Sequence, residues 1–461
     1  MFSPPKAPKV TVYIPTHNYG KYVDKAIHSV LNQTMDDWEL IVIDDGSTDN
    51  TMEILEKYQG HPKIRILSQE NRGLNVTNNI ALRLSNGKYI MRLDADDYLD
   101  ENALSVLSNT LDAKPEVGLV YPDYYHVNEE GDVIELVRRK KIGEEDQILD
   151  LPAHGACTMF RKEILMQIGG YLEDFSGQDG YDIWLRFIQK HKPYNVNIPL
   201  FYYRQHPASL TKDQKKLLET RREIKRRFVE QRLSGITLTV LGIVPAVRRS
   251  IYYQSDPFVE IAGKPLIWYT LNELQYCKSL DRIVLSSEDD EVLNYARQFP
   301  YITPMKRPPE LAKTTVKMQD LILYVLDNLK QSAGYEPDAV CTLYINTPLR
   351  RAYHIDKAID TMAIFDVDSV ISIQEELAHC YHHRRFGLEP ISKAEGIKVE
   401  REAIYKENSA IYLSKVDVIR QGRLIGDKVG HITMLPEESV KINSEFDLWL
   451  AESIITKWKK K

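Results

Sequence analysis

At 461 residues the chain is too long for one hydrophobic core, so two or three domains are expected. An apolar share of 43% beside 27% charged residues is that of an ordinary soluble protein. The formal net charge of −6 gives no electrostatic reason to expect nucleic acid or an anionic membrane as a partner.

The four cysteines, Cys157, Cys277, Cys341 and Cys380, are scattered and lack metal-ligand or redox spacing. They suit a reducing compartment and a role as small hydrophobes. The opening residues, "MFSPPKAPKV", have no apolar stretch of the kind a secretory signal needs. The longest apolar run, "ITLTVLGIVPAV", is too short for a bilayer and carries a proline. No transmembrane segment and a cytoplasmic location are therefore expected.

Taken in chain order, "KVTVYIPTHN" at 9–18 reads as a buried strand that runs into a loop. Further strands are predicted at 38–43, 64–67 and 89–93, separated by helical patterns near 20–32, 49–58 and 73–85. The second half begins in the same way, with "ITLTVLGIVPAV" at 236–247. Strands at 282–286, 340–345 and 369–373 follow, with helices near 264–275, 288–297, 316–330 and 353–364. This alternation predicts an α/β protein with two doubly wound sheets. Ligands in such sheets bind beyond the carboxyl ends of the strands, which makes the loops after each strand the places to inspect.

Three acidic clusters occupy such places in the first half. "LIVIDDGSTDNT" ends a strand with Asp44 and Asp45, "KYIMRLDADDYLD" ends another with Asp94, Asp96 and Asp97, and "FSGQDGYDIWLRF" puts Asp179 and Asp182 at a helix start. Clustered carboxylates repel one another unless something positive joins them. A divalent cation does so with one or two carboxylates and the phosphates of a substrate. A lone Asp-x-Asp is most often a turn or a helix cap. Three clusters in one α/β unit point to function.

At these residues the stretch from about 9 to 210 resembles a family 2 glycosyltransferase of the GT-A fold. "IPTHN", "VIDDGSTDNT", "NGKYIMRLDADDYL", "QDGYDIWLRF" and "YYRQHPASLT" match that family's motifs in order. The resemblance implies that Pro15, His17 and Asp45 hold the nucleoside. Family members often carry an aromatic residue where His17 stands. It implies that Asp94 and Asp96 bind Mg²⁺ or Mn²⁺ bridging the diphosphate, and that Asp179 takes the proton from the acceptor hydroxyl with inversion at the sugar. Asp182 is the alternative base, or a residue that caps and orients. His206 contacts the diphosphate or the metal, or is a loop histidine bonded to backbone. The family's Ala-Arg-Asn is replaced by "NRGLNVTNNIAL", which leaves Arg72 as the cation to grip the diphosphate.

The junction, "TKDQKKLLETRREIKRRFVEQRLSG" at 211–235, reads as a charged and solvated connecting helix. Three segments are expected: a transferase domain over 1–210, this helix over 211–235, and a second α/β domain over 236–461. From about 238 to 455 the chain resembles the cytidylyltransferases that make CMP-sialic acid and related CMP-sugars. "AGKPLIWYTL", "RIVLSSEDDEVLNYA", "KRPPELA", "NTPLRRAYHIDKAI", "DSVISI", "NSAIYL" and "INSEFDLWLAE" carry that likeness. The fold class implied is therefore two Rossmann-like nucleotide-binding domains joined by a charged helix.

The phosphate loop of that second family, an Arg-Gly-Gly-Ser-Lys-Gly run followed by Lys-Asn, keeps its length here but not its contents. Val247 stands at its Arg, Arg248-Arg249 at its glycines, Ile251 and Asp256 at its lysines and Pro257 at its Asn. Pro257 removes a backbone donor. Tyr344 replaces a Gln, and Asn443 replaces a metal-binding Asp, although Glu445 and Asp447 remain. These losses imply a domain that no longer transfers cytidylyl groups, with Arg248, Arg249 and Asn408 left for some other site. "EELAHCYHHRRF" gathers His379, Cys380, His382 and His383, read as a strand edge or partner surface, with zinc as the alternative.

The leading expectation is a metal-dependent inverting glycosyltransferase that uses a nucleotide-diphosphate sugar, by resemblance a UDP-sugar, and a glycan or glycoconjugate acceptor. A homodimer formed through the second domain is expected with it. The alternatives are a bifunctional enzyme with an active cytidylyltransferase half, and a non-catalytic scaffold.

Overall fold

Val10 to Thr16 are buried along their whole length, as a strand covered on both faces must be, and they form the centre of the first sheet. The computed structural model describes residues 7–139, 155–174, 179–206, 214–232, 238–248, 256–313, 315–376, 380–384, 387–391 and 404–457. The chain divides into two units. The first runs through Ile224 and the second starts at Lys225.

The first unit opens as β1 (Val10–Thr16), α1 (Gly20–Leu31), β2 (Trp38–Asp45), α2 (Thr51–Glu56), β3 (Ile64–Gln69), α3 (Leu74–Leu84) and β4 (Tyr89–Arg92). It continues as β5 (Tyr98–Leu99), α4 (Ala103–Ala113), β6 (Val117–Val127), β7 (Val133–Val137), β8 (Met159–Arg161), α5 (Lys162–Gln167), α6 (Asp179–Ile188) and β9 (Lys192–Arg204). The helix α7 (Gln214–Arg232) carries the chain from one unit into the next. Among the described residues the sheet order is β3-β2-β1-β4-β8-β6-β9-β5, with β7 paired to β6. β1 pairs in parallel with β2 and β4, and β2 with β3. All four therefore end at the same edge. α1 turns Val23, Ala26, Ile27 and Val30 inward at helical spacing, against Val12, Ile14, Leu40 and Val42 of the strands.

The second unit runs β10 (Val240–Pro245), β11 (Glu260–Ile261), β12 (Lys264–Pro265), α8 (Leu266–Leu274), β13 (Arg282–Ser287), α9 (Asp290–Ala296), β14 (Thr303–Lys306) and α10 (Met318–Ala333). There follow β15 (Ala339–Thr342), α11 (Ala352–Phe365), β16 (Ser369–Glu376), β17 (Tyr381–Arg384), β18 (Gly387–Pro390), β19 (Ile404–Lys415), α12 (Val416–Arg420), β20 (Val429–Thr433) and α13 (Glu445–Thr456). Its main sheet has the order β14-β13-β10-β15-β19-β16-β20. β10 is parallel to β13 and β15, and β19 runs antiparallel to β15 and β16. Leu321, Ile322, Val325, Leu326 and Leu329 of α10 pack on Leu241, Ile243, Val284 and Val340 of these strands. β17 and β18 form a separate hairpin. Both units are mixed α/β structures built on a parallel-dominated sheet, as the alternation predicts.

Three expectations need correction. The connecting helix is not solvated all round. Lys225 is wholly buried, its Nζ donating to Thr361 Oγ1 at 2.9 Å and lying 5.6 Å from the Phe365 ring. The strand expected over 340–345 stops at Thr342, where the chain turns towards Thr347 and Arg350. Cys157 and Cys341 are buried as small hydrophobes, but Cys277 is half-buried and donates from Sγ to Asp356 at 3.2 Å. Of the histidine cluster, His379 lies outside the described residues, and His382 faces Glu389 across the hairpin at 3.7 Å. Among the described residues no helix is long and apolar enough to cross a membrane.

Candidate active site

Pro15, the last residue but one of β1, pairs with Ile43 of β2, and the loops that leave both strands meet beyond them. His17 donates from Nδ1 to the Asp45 carbonyl at 2.9 Å, while the side-chain amides of Asn18 and Asn71 lie 3.3 Å from its Nε2. Asn18, at φ 59, accepts the Thr48 N–H at 2.7 Å and so ties the first loop to the second. Gly46 has φ +74, and a Cβ there would stand 2.7 Å from the Asn71 nitrogen, so only glycine fits.

Asp45 is buried beneath this junction. One carboxylate oxygen accepts the Arg72 N–H at 2.8 Å and the Gln69 amide at 2.7 Å, and the other accepts the Gly73 N–H at 2.8 Å. Asp45 therefore shapes the 71–73 loop through its backbone and leaves the Arg72 side chain exposed at the rim. Asp44 is buried too, with the Ser47 N–H and the Ser68 hydroxyl 3.3 Å from its carboxylate.

The acidic loop follows β4. Leu93 donates to the Tyr13 carbonyl at 2.9 Å, which holds the loop over the end of β1. Asp94 is half-buried and ion-paired to Arg92, Nε to Oδ1 at 2.8 Å. Asp96 accepts from His206 Nε2 at 2.9 Å. Asp97 is wholly buried. Its Oδ1 accepts the Arg204 N–H at 2.9 Å, while its Oδ2 has no hydrogen-bond partner among the described residues. Burial, followed by the charge of Asp94, holds the Asp96 carboxyl above the usual carboxylate range. Asp97 is driven well above that range, first by burial and then by Asp96 and Asp94. Burial and the same carboxylates push the Tyr19 phenol up.

β9 delivers the other half of this cluster. The Arg204 guanidinium donates to the Asp96 carbonyl at 2.9 Å and lies 5.0 Å from the Tyr22 ring and 5.6 Å from that of Tyr98. His206 sits against the rings of Tyr19 and Tyr22, with centroids 6.0 and 5.3 Å away. His206 is thus a side-chain partner of Asp96. Among the described residues no set of three or more His, Cys, Asp or Glu side chains is arranged to hold a metal ion by itself.

α6 brings the last acidic pair. Asp179 is its first residue, and its side chain lies outside the described residues. Asp182 is buried and ion-paired to Arg186, whose Nε donates to Oδ2 at 2.9 Å. Arg186 also donates to the carbonyls of Ile168 and Gly170, so the pair clamps the 168–170 turn onto the helix. The start of α6 approaches the acidic loop through two glycines. A Cβ on Gly180 would stand 3.5 Å from Gly155 Cα, and one on Gly155 would stand 2.3 Å from Arg92 Nη2.

Sequence reasoning missed Arg92 and Arg204 as parts of this site. Arg92 left a signal, as a charged residue inside the otherwise apolar strand "YIMR" just before the acids. Arg204 lies within "YYRQHP", whose role is visible only once β9 returns to the acidic loop.

In the second unit the loop 249–255, Arg249 and Ile251 included, lies outside the described residues. The residues around it pair with one another. Arg248 is ion-paired to Asp256 and lies 3.4 Å from Glu291, and its guanidinium lies 4.9 Å from the Phe258 ring. Arg307 is buried, bonding Glu288 at 2.8 Å and the Ala246 carbonyl at 3.0 Å. Asn408 does not face a site. It is buried, donating to Ser439 Oγ at 3.0 Å and accepting the Ala410 N–H at 3.1 Å. Asp447 accepts the Asn443 N–H at 3.0 Å and the Ser444 hydroxyl at 2.8 Å, as part of the cap of α13.

The two sites lie in domains of known families. Residues 11–169 match the family described as Glycosyl transferase family 2, and residues 242–453 match that described as Cytidylyltransferase. The chain therefore carries a family 2 glycosyltransferase domain followed by a cytidylyltransferase-family domain. A chondroitin synthase of Escherichia coli is 33% identical over 182 residues, 39% of this chain and 26% of that protein. The O-antigen biosynthesis glycosyltransferase WbnJ of E. coli is 28% identical over 238 residues, 48% of this chain and 90% of its own length. The poly(ribitol-phosphate) beta-N-acetylglucosaminyltransferase TarP of Staphylococcus aureus strain N315 is 43% identical over 105 residues, 22% of this chain and 32% of TarP. The chain spans about a quarter of the chondroitin synthase it matches.

Proposed function

We propose that the first unit is a metal-dependent, inverting glycosyltransferase. It moves a sugar from a nucleotide-diphosphate sugar, a UDP-sugar by family resemblance, to a hydroxyl of a glycan or glycoconjugate acceptor. The observation that carries this reading is the meeting of Asp94, Asp96 and Asp97 with His206 at the carboxyl edge of the sheet. The relatives that bear on the acceptor are named for chondroitin synthesis and O-antigen biosynthesis, which favours a polysaccharide.

The donor set suits a hard divalent cation. Burial and then the neighbouring carboxylates raise the proton affinity of Asp96 and Asp97, and one buried oxygen of Asp97 has no partner among the described residues. Asp94 and Asp96 would hold Mg²⁺ or Mn²⁺, with substrate phosphates completing the shell. When bound, such an ion neutralises charge on the leaving nucleoside diphosphate. His206 orients Asp96 from behind. Pro15, His17 and Asp45 shape the nucleoside pocket, and Arg72 reaches the diphosphate from the rim. Asp179 is the base that takes the acceptor proton, because Asp182 is committed to Arg186.

The second unit is read as inactive in cytidylyl transfer. A triphosphate needs cations and bare N–H groups at the mouth of the sheet. Here Asp256, Glu288 and Glu291 already neutralise Arg248 and Arg307. The same unit is proposed to carry a homodimer contact, with Tyr381, Leu388 and Ile391 exposed on the β17–β18 hairpin. Light scattering on the purified chain should give twice the monomer mass.

A donor screen by thermal shift with Mn²⁺ tests the transferase reading. A bound donor raises the melting temperature with occupancy. Asp96→Ala should remove that shift and Asp179→Asn should keep it while abolishing transfer. Turnover unchanged in both variants would leave the protein a non-catalytic binder.

A further inference from the structure

We propose that Arg92 is a positioning residue of the transferase site that balances the charge of Asp94 and joins the cation loop to the helix bearing the base. The inference rests on the transferase reading of the first unit. Arg92 closes β4 with its side chain buried, although the strand around it is apolar. Its guanidinium is ion-paired to Asp94, with Nε 2.8 Å from Oδ1, and Nη2 donates to Oδ2 at 3.4 Å. A buried guanidinium so placed sets where the Asp94 carboxylate lies.

The other side of the same guanidinium touches the segment that carries the base. Nη2 lies 2.3 Å from where a Cβ of Gly155 would stand, so a side chain at 155 would have to displace the Arg92 guanidinium. Gly180, the second residue of α6, packs against Gly155 in turn. The Arg92 carbonyl also accepts the Cys157 N–H at 2.8 Å. Asp94 and the first turn of α6 are thus referred to one rigid cation.

Two effects follow, and they have opposite signs. The positive charge beside Asp94 opposes a divalent cation on the same carboxylate, so removing it should tighten metal binding. The planar guanidinium, set between Asp94 and Gly155, holds Asp94 and the α6 start in register, so removing it should slow transfer. A purely structural residue would weaken both together.

The test titrates the full-length chain with Mn²⁺ by calorimetry at saturating UDP. It also measures UDP release from the UDP-sugar that the donor screen selects. Arg92→Gln, which keeps donors but loses the charge, should bind Mn²⁺ at least about threefold tighter and turn over at least about tenfold more slowly. Arg92→Lys keeps the charge and loses the planar guanidinium that reaches both Asp94 and Gly155, so Mn²⁺ affinity should stay near that of the wild type while kcat falls and donor KM holds. A folded Arg92→Gln chain with unchanged or weaker Mn²⁺ affinity would overturn the proposal. Should that variant not fold, an Arg92→Lys chain with wild-type kcat would overturn it equally. A wild-type chain that takes up no Mn²⁺ with UDP present would instead bring down the transferase reading itself.

Discussion

Asp179 and Asp182 stand three residues apart, and the sequence offers both as the base. The structure separates them by what surrounds Asp182. A carboxylate buried against Arg186, with that guanidinium also holding two backbone carbonyls, is committed to the fold. Breaking a buried pair on one side leaves the other charge unpaired and costs about 3–5 kcal/mol. Asp182→Asn should therefore lower the melting temperature by several degrees and reduce soluble yield. Asp179→Asn should leave melting unchanged and cut transfer about 10²–10⁴-fold, the usual worth of a general base. Differential scanning calorimetry and a UDP-release assay on the two variants distinguish these outcomes. The acids themselves were legible in the sequence because they open an amphipathic helix. The commitment of Asp182 to the fold was not, because it depends on Arg186 lying one helical turn from Asp182 and reaching the 168–170 turn. The commitment of Asn408 to the core was hidden in the same way, since Ser372, Ala410 and Ser439 come from separate parts of the chain.

The helices and parallel strands of each unit lie close to where hydrophobic periodicity puts them. β1 to β4 and α1 to α3 need only local signals: a continuous apolar run, an amphipathic stripe, a turn residue. β6 and β9 escaped notice. β6 contains Pro122, shows register shifts against β9 and carries four aromatic or histidine side chains between its apolar ends, so no clean alternation survives. The burial of α7 was hidden for another reason. Its lysines and arginines look uniform in sequence, and only packing shows that Lys225 goes inside. On α11, the element that receives Lys225, burial and then the charge of Asp356 push the Asp360 carboxyl up to about 7. A folded pKa raised above the unfolded value of about 3.9 gives stability that is full below that value and lost as pH rises through 7. Wild-type melting should fall between pH 5 and pH 8. Asp360→Asn should flatten that fall, with a gain over wild type at pH 8 that is greater than at pH 5 by roughly 2 kcal/mol. A parallel pH dependence in the two proteins would rule this out.

Taken whole, the chain joins two domains that both have the architecture of nucleotide sites, yet their charge balances differ in kind. The first gathers Asp94, Asp96 and Asp97 on one loop, and their charges lie close together. The second has arginines at its mouth that its own acids already satisfy. The intact chain, given Mg²⁺, CTP and a nine-carbon acidic sugar, should release pyrophosphate no faster than a control without the sugar. A coupled pyrophosphate assay checks this, and sustained release would establish a bifunctional enzyme. The contact between Asp96 and His206 joins positions 110 apart in the chain, and that between Asp97 and Arg204 joins positions 107 apart. A ribosome that has already extruded the acidic loop must add more than a hundred further amino acids before its counterparts emerge. Until then the loop holds mutually repelling carboxylates without Arg204 or His206, so nascent chains stalled short of that point should remain open to protease in this region.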